Sequence, residues 1–537
     1  MGKRKSEQQI CRLWKGHGYD MKYLQNNRER LAVYLFCLLA AGIPLMICSK
    51  SSFLYPFNDW PDVNMFFTMG KGMLKGKVPF VDLKEQKGPY VYAVGGIAYL
   101  ISHRGFQGYF LFELASMFCF LFYTYKTVGL YTQKPAHWML PVMSAGVVSA
   151  KSFVHGGSLE ELSLGIFAYA IYSLLVYYRD EERKPMPAAT LALNGMWAGI
   201  LFWSKFTLLG LYMVWAAAVA LRIISRKRWG ELFRSMGIFL GVMLAMAVPW
   251  VIYFGANGAI GDWLRAYLWD NIFGYAEWGD SSTGQKMAAA VSNMLLSLRD
   301  KGNRTYSFLV AVGALSFVCY PKRIASWREK SALGFMGLAM GIGIFIGETK
   351  HDYYGLPLAV FSMFGVLAFV MLLGRVVERL PKLLGQAVVS NYGGFIAVVL
   401  LLCSWGSLRL SPNTYLLSVD REEMPQFRFA RIIQEAEDQS LLNYGFLDGG
   451  FYTVLNQVPE ESAFCILNRN PDQMLAEQNT YVQEGRTHFL VTWKAHTAKE
   501  EELRALPVVS EYYELIDFVY FEFEGDLRTY ALYERKE

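Results

Sequence analysis

The stretch FNDWPDVNMFFTMGKGMLKGKVPFVDLKEQKGPY, residues 57–90, decides how this chain is read. It follows the apolar run at 31–48 and so emerges at a membrane surface, yet it carries Asp59, Asp62, Asp82, Glu85 and Lys87. Its first half predicts a short helix, with Asp59 placed to cap the N-terminus, Pro61 suited to the first turn and Gly76 able to end it. Val63, Phe66, Phe67, Met73 and Leu74 then share one face. The pattern predicts a helix lying in the interface with its acidic start facing outward.

Working outward, hydrophobic residues make up 53% of the 537 positions and mean hydropathy is +0.21, which excludes an ordinary soluble protein with this many long apolar runs. The chain reads as a polytopic α-helical membrane protein. Its net charge of +6 belongs to short basic loops, and no basic cluster interleaved with stacking aromatics points to nucleic acid. Of seven cysteines, Cys37, Cys48, Cys119, Cys319 and Cys403 fall in or beside apolar runs and Cys465 lies in the polar C-terminal part, so neither a disulfide framework nor a Cys/His metal site is indicated. Residues 1–30 form a basic, polar N-terminus without a cleavable signal pattern, which makes 31–48 an uncleaved anchor.

The predicted spans are 31–48, 108–130, 138–154, 161–178, 187–203, 205–222, 232–254, 305–320, 332–346, 354–374 and 393–409, about eleven in all. Residues 89–103 are a further apolar run. Basic turns at 131–137, 178–185, 224–229, 320–330 and 374–382 alternate with less basic ones, and all share the cytoplasmic side with the N-terminus only if 89–103 dips in or lies flat. A true crossing by 89–103, offset by merging 187–222, is the alternative topology. In the preferred one, residues 49–88, KSFVHGGSLEE (151–161), the WSK break at 203–205, 255–304 and GETKHDYYG (347–355) all reach the outer side. Residues 31–410 form the membrane domain. Residues 411–537 then form an extracytoplasmic α/β domain with helices at 427–438, 471–484 and 497–506 and strands at SLLNYGF, AFCIL, THFLVTW, DFVYFEF and TYALYE. GFLDGGFY reads as a strand-to-helix turn, not as a dinucleotide fingerprint.

The spacing of the opening stretch resembles the first external loop of the GT-C glycosyltransferases, in their bacterial branch similar to the protein mannosyltransferase and aminoarabinose transferase families. There an acid is followed by Gly-x-x-Pro-aromatic-x-Asp, another acid and Lys-Gly/Pro-Pro. Here Asp62 is followed by Gly76, Pro79, Phe80, Asp82, Glu85 and Lys87-Gly88-Pro89. Where many relatives carry Glu directly after the first acid, this chain has Val63, although Asp59 stands close by. The resemblance covers most of the chain. It implies a transferase that moves a sugar from a polyprenyl-phosphate donor to a glycan, lipid or protein acceptor outside the cytoplasm, inverting the anomeric centre. Asp62 would be the general base and Lys87 the contact to the donor phosphate. A phosphodiester-linked sugar is already activated, so no nucleotide or redox cofactor is required.

Other polar residues on the same predicted side join Asp82 and Glu85 as substrate-binding candidates. Lys205 interrupts a long apolar stretch and reads either as a phosphate contact or as a snorkelling lysine at a hairpin turn. His155, Glu160 and Glu161 stand at a predicted helix start, where acids also favour the helix dipole. His351, Tyr353 and Tyr354 precede a span and read as donor contacts or as belt aromatics. The aromatic segment 262–285 reads as a sugar-stacking loop or an interfacial helix. A divalent cation, Mg2+ or Mn2+, is left open, with Asp59, Asp62 and Glu161 as its candidate ligands. The rival reading of the whole chain is a lipid-carrier flippase or transporter, which calls for inverted repeats that the sequence does not display. A silent scaffold whose outer domain binds a cell-wall partner is the other.

Overall fold

The computed structural model describes residues 27–537 apart from 181, 183, 274–281, 348–349, 380–390, 469 and 524. Most of the basic N-terminus and the centre of the aromatic segment 262–285 therefore lie outside the described residues. The principal helices are α1 Asn27–Cys48, α2 Pro61–Leu74, α3 Pro89–Ile101, α4 Gln107–Gly129, α5 Met139–Val148, α6 Leu164–Arg179, α7 Ala188–Lys205, α8 Gly210–Ile224, α9 Trp229–Ala245, α10 Thr283–Arg299, α11 Arg304–Cys319, α12 Trp327–Phe345, α13 Ser362–Arg379, α14 Tyr392–Leu410 and α15 Pro425–Glu435. Among the described residues, seven helical segments are long and apolar enough to cross a membrane. One of them, Ala188–Ile224, is broken at Phe206–Leu209 into α7 and α8. The two halves form a hairpin with Lys205 at its turn, since Asn194 of α7 and Trp215 of α8 both donate to Ser173 Oγ.

Helix α3 turns back on the end of the bundle where it starts. Its 13 residues span only about 20 Å of helix, short of a hydrocarbon core of about 30 Å. On its near flank Gly88 N donates to Ser204 O; on its far flank the Phe106 ring packs 5.3 Å from both Phe57 and Phe67. Glycines let α2 and α3 touch backbone to backbone. A Cβ on Gly70 would lie 2.1 Å from Gly96 N, and one on Gly95 would lie 2.2 Å from Phe66 O. The expectation of an interfacial α2 with a wet face is corrected here, because Val63 through Gly72 are all buried. The side that was to face water is covered by the C-terminal domain.

That domain carries one four-stranded sheet in the order β1-β2-β4-β3, from Leu441–Asn443, Phe489–Lys494, Tyr513–Phe523 and Asp526–Arg535. β1 and β2 run parallel, β2 and β4 antiparallel, with Leu441 opposite Phe489 and Trp493 opposite Tyr530. AFCIL, expected as a strand, is not one: Ile466 N bonds Phe446 O without a ladder, and Ala463, Phe464 and Cys465 serve as buried packing. A short apolar run cannot by itself distinguish a strand from a buried loop. Residues 283–299, placed in an outer loop by the sequence reading, form α10, started by a reciprocal Ser282–Gln285 capping box and packed with Met294 against Gly341 of α12.

Candidate active site

Several distant segments are drawn to one end of the bundle around the start of α2. Asn58 Oδ1 accepts from Trp60 N at 3.1 Å, and Asn64 Nδ2 donates to the carbonyls of Asn58 and Trp60 at 2.9 Å, which fixes the first turn. No side chain caps the helix. Asp59, expected as that cap, instead forms a 2.7 Å ion pair with Lys50, both side chains sealed from solvent at 1% and 0% exposure. His155 closes over this pair, its Nδ1 4.0 Å from Asp59 and its ring 6.1 Å from Trp60.

Asp62, one turn further on, is half-buried and accepts a hydrogen bond from Tyr353 Oη at 3.2 Å. The Tyr353 ring stands edge-on to Trp60 at 5.4 Å and stacks with His351 at 5.6 Å. Burial depresses the basicity of His351; Asp62 opposes that shift, while Lys205 and Lys87 reinforce it. The imidazole is thus kept neutral around pH 7 and senses an acid and two lysines. Lys205 pairs with Glu160 and lies 4.1 Å above the Tyr354 ring and 5.4 Å above that of Tyr353. Lys205 is thus enclosed at the hairpin turn, with its ammonium paired inside the protein.

The Lys87 loop reaches the Lys205 turn through a seam that only glycine permits. Gly88 N donates to Ser204 O at 3.0 Å, and a Cβ on residue 88 would fall 1.9 Å from Trp203 O. Glu85 braces the loop from beneath, accepting from Lys87 N at 2.6 Å and from the Tyr92 hydroxyl; burial pushes its carboxyl above the usual range, and its Oε1 is left without a partner. Asp82 stands apart from this cluster: its Oδ2 closes the Val78–Asp82 turn at 2.6 Å, beside a Phe80 held at φ 71°. Glu161 also faces elsewhere, accepting from Gly157 N at 2.9 Å beside the buried Glu113. Asp62, Lys87, Glu160, Lys205, His351, Tyr353 and Tyr354 therefore meet, His155 and Glu85 line the layer behind them, and Asp82 and Glu161 do not join them.

Asp59, Asp62 and Glu161 do not gather as metal ligands, since each is directed to a different partner. Among the described residues no group of three His, Cys, Asp or Glu side chains is placed to hold a metal ion.

The sequence reading missed Lys50, Glu113 and the clamp from the C-terminal domain. Thr68 Oγ1 donates to Asp448 Oδ2 and Lys71 Nζ to Tyr452 O, each at 2.7 Å, while Thr453 Oγ1 donates to Asn64 Oδ1 at 3.2 Å. Burial lowers the Lys71 ammonium to about 7. Phe523, at the end of β3, packs 5.5 Å from His155. Lys50 and Glu113 carried a signal, as ionisable groups at or inside an apolar span. The clamp carried none, because its partners lie hundreds of residues apart.

The described part of the chain superposes on crystal structures of ArnT from Cupriavidus metallidurans. It shares the ArnT fold. With ArnT bound to undecaprenyl phosphate the TM-score is 0.58 at 12% identity, covering 94% of this chain and 98% of ArnT. With ArnT in the apo state the TM-score is again 0.58, at 13% identity and the same coverage. No family model and no curated protein sequence matches the chain. The likeness is one of fold, the architecture that the first external loop led us to expect.

Proposed function

We propose that this protein transfers a sugar from a polyprenyl-phosphate donor to an acceptor hydroxyl on the extracytoplasmic face of a cell membrane. The observation that carries the reading is the convergence of Asp62, hydrogen-bonded by Tyr353, with Lys205 and the Lys87 loop at the Gly88–Ser204 seam. A carboxylate and two lysines gathered around one histidine suit a displacement at a phosphate-activated anomeric carbon. ArnT, whose fold this chain shares, was crystallised with undecaprenyl phosphate, which suits the same class of carrier.

In this reading Asp62 takes the proton of the acceptor hydroxyl as its oxygen attacks the anomeric carbon. The bond to the phosphate oxygen breaks on the opposite face, so the configuration inverts. Lys87 and Lys205 take up the charge gathering on the leaving phosphate, in a setting where excluded water strengthens each contact. Tyr353 fixes the carboxylate oxygen that must not rotate, and neutral His351 is free to donate to a phosphate oxygen. Glu160 holds Lys205 in place. Asp59, Asp62 and Glu161 are each directed to a different partner, which does not favour a metal held among them. The basic turns at the opposite end of the bundle support a cytoplasmic assignment for that end. That assignment supports an outer position for the site and for residues 411–537.

Purified protein supplied with polyprenyl-phosphate sugars and candidate acceptors should release polyprenyl phosphate. Asp62→Asn should abolish release with the melting temperature unchanged. Turnover that survives this substitution would remove Asp62 from the base role, and carrier movement without sugar transfer would establish a flippase.

A further inference from the structure

A groove of about 720 Å³ runs between α8 and α12 from Met213 to Ser225, its polar head at the end of the bundle away from Asp62. Helix α8 begins beside the Lys205 turn and runs for 15 residues, which carries the groove's head about 22 Å from the site. Met213, Ala217, Leu221 and Phe335 line its wall. Met213, Leu221 and Phe335 are 70%, 66% and 62% exposed, so the groove opens sideways to the bilayer rather than into the protein. At its polar end stand Arg222 and Arg328, with Trp327 on the rim as an interfacial aromatic.

Arg222 is incompletely satisfied. Its guanidinium stacks 4.5 Å from Tyr177 and 5.3 Å from Tyr178, and Nη2 reaches Asp180 O at 3.4 Å, but Nε is buried without a partner. Among the described residues no carboxylate lies within ion-pair distance of Arg222 or Arg328. Arg226 and Arg328, both of its own sign, bear on Arg222, while Tyr177 and Tyr178 act in the opposite sense. Two guanidiniums at the head of an apolar slot call for an anion joined to a hydrocarbon chain.

We propose that this groove binds one anionic diacyl phospholipid of the surrounding leaflet, an acyl chain along Met213, Ala217 and Phe335 and the phosphate between Arg222 and Arg328. The phosphate oxygens would satisfy the open Nε donor and relieve the repulsion between the arginines. The volume suits a single acyl chain with its headgroup; a polyprenyl chain would leave most of its length outside. This proposal stands apart from the transferase reading, because the groove and the Asp62 site share no residue.

The test is native mass spectrometry of the full-length protein in mild detergent, titrated with phosphatidylglycerol and with phosphatidylcholine of identical acyl chains. Wild type is expected to bind one phosphatidylglycerol at least tenfold more tightly than the first phosphatidylcholine. Arg328→Gln, at an exposed position, should reduce that preference about fivefold, the worth of one basic residue at a membrane surface. Arg222→Gln should act in the same direction, and Ala217→Trp, which fills the slot, should lower retention of both lipids. Equal binding of the two lipids, a preference unmoved in Arg328→Gln, or tighter binding of undecaprenyl phosphate than of phosphatidylglycerol would each overturn the proposal.

Discussion

The seam at Gly88 gives the sharpest check on the site, because it isolates position from chemistry. Gly88 has φ −76° and ψ 155°, which alanine adopts without strain, so Gly88→Ala acts through its added methyl alone. That Cβ would lie 1.9 Å from Trp203 O, whereas ordinary contact begins at 3.4 Å; 3.4 − 1.9 leaves 1.5 Å by which the Lys87 loop and the Lys205 turn must separate. The 3.0 Å bond from Gly88 N to Ser204 O is stretched or lost as well, at a cost of about 1 kcal/mol. Misplacement of a positioning group by about 1 Å is enough to cost about 100-fold in rate. The expected result is a fall of about 100-fold in kcat/KM for polyprenyl-phosphate release, with the melting temperature reduced by only a few degrees and no charged group changed. Turnover within threefold of wild type, in a variant whose stability shows that the methyl is accommodated, would mean that Lys87 and Lys205 need not act together.

Tyr353→Phe removes the hydroxyl that donates to Asp62, and a bond to a charged acceptor is worth about 1.5–3 kcal/mol, so kcat should fall about 10- to 100-fold with KM little changed. Lys205→Met strands Glu160 as a buried, unpaired acid and should destabilise the protein by about 3–5 kcal/mol. Adding Glu160→Gln should restore the melting temperature but not turnover, and recovery of both would make the lysine purely structural. Lys71 ionises at about 7 in the folded protein against an ordinary 10.5. Above pH 7 the folded state therefore sheds a proton that the unfolded chain keeps. Stability should climb between about pH 7 and 10.5 by up to about 1.4 kcal/mol per unit, and the climb should vanish in Lys71→Met when melting is followed across that range.

The sequence was most legible where local rules operate. Pro61 starts α2 and Gly76, at φ 90°, ends it; Lys205 marks a hairpin turn; the run at 89–103 forms a helix of only 13 residues. Loop spacing was enough to draw Asp62, Lys87 and His351 to one end of the bundle. It failed where the partner is remote or the charge is ambiguous. Asp59 stands one residue before the cap position, which Trp60 holds, and is turned to a buried ion pair with Lys50. Asp82 lies within the same motif as Lys87 and yet is turned inward to close its own loop. The burial of α2 on every side depended on Asp448, Tyr452 and Thr453, which nothing in residues 57–90 announces.

The grip of residues 448–453 on α2 sets an order on biogenesis. The segment bearing Asp62 leaves the ribosome early and is inserted early, but its backing wall is among the last pieces to be made. Until then the Asp62 segment lacks the contacts that Thr68 and Lys71 make to Asp448 and Tyr452. Assembly of the proposed site is thus tied to synthesis of residues 448–453, and a product cut short before residue 448 is expected to lack these contacts and the proposed activity.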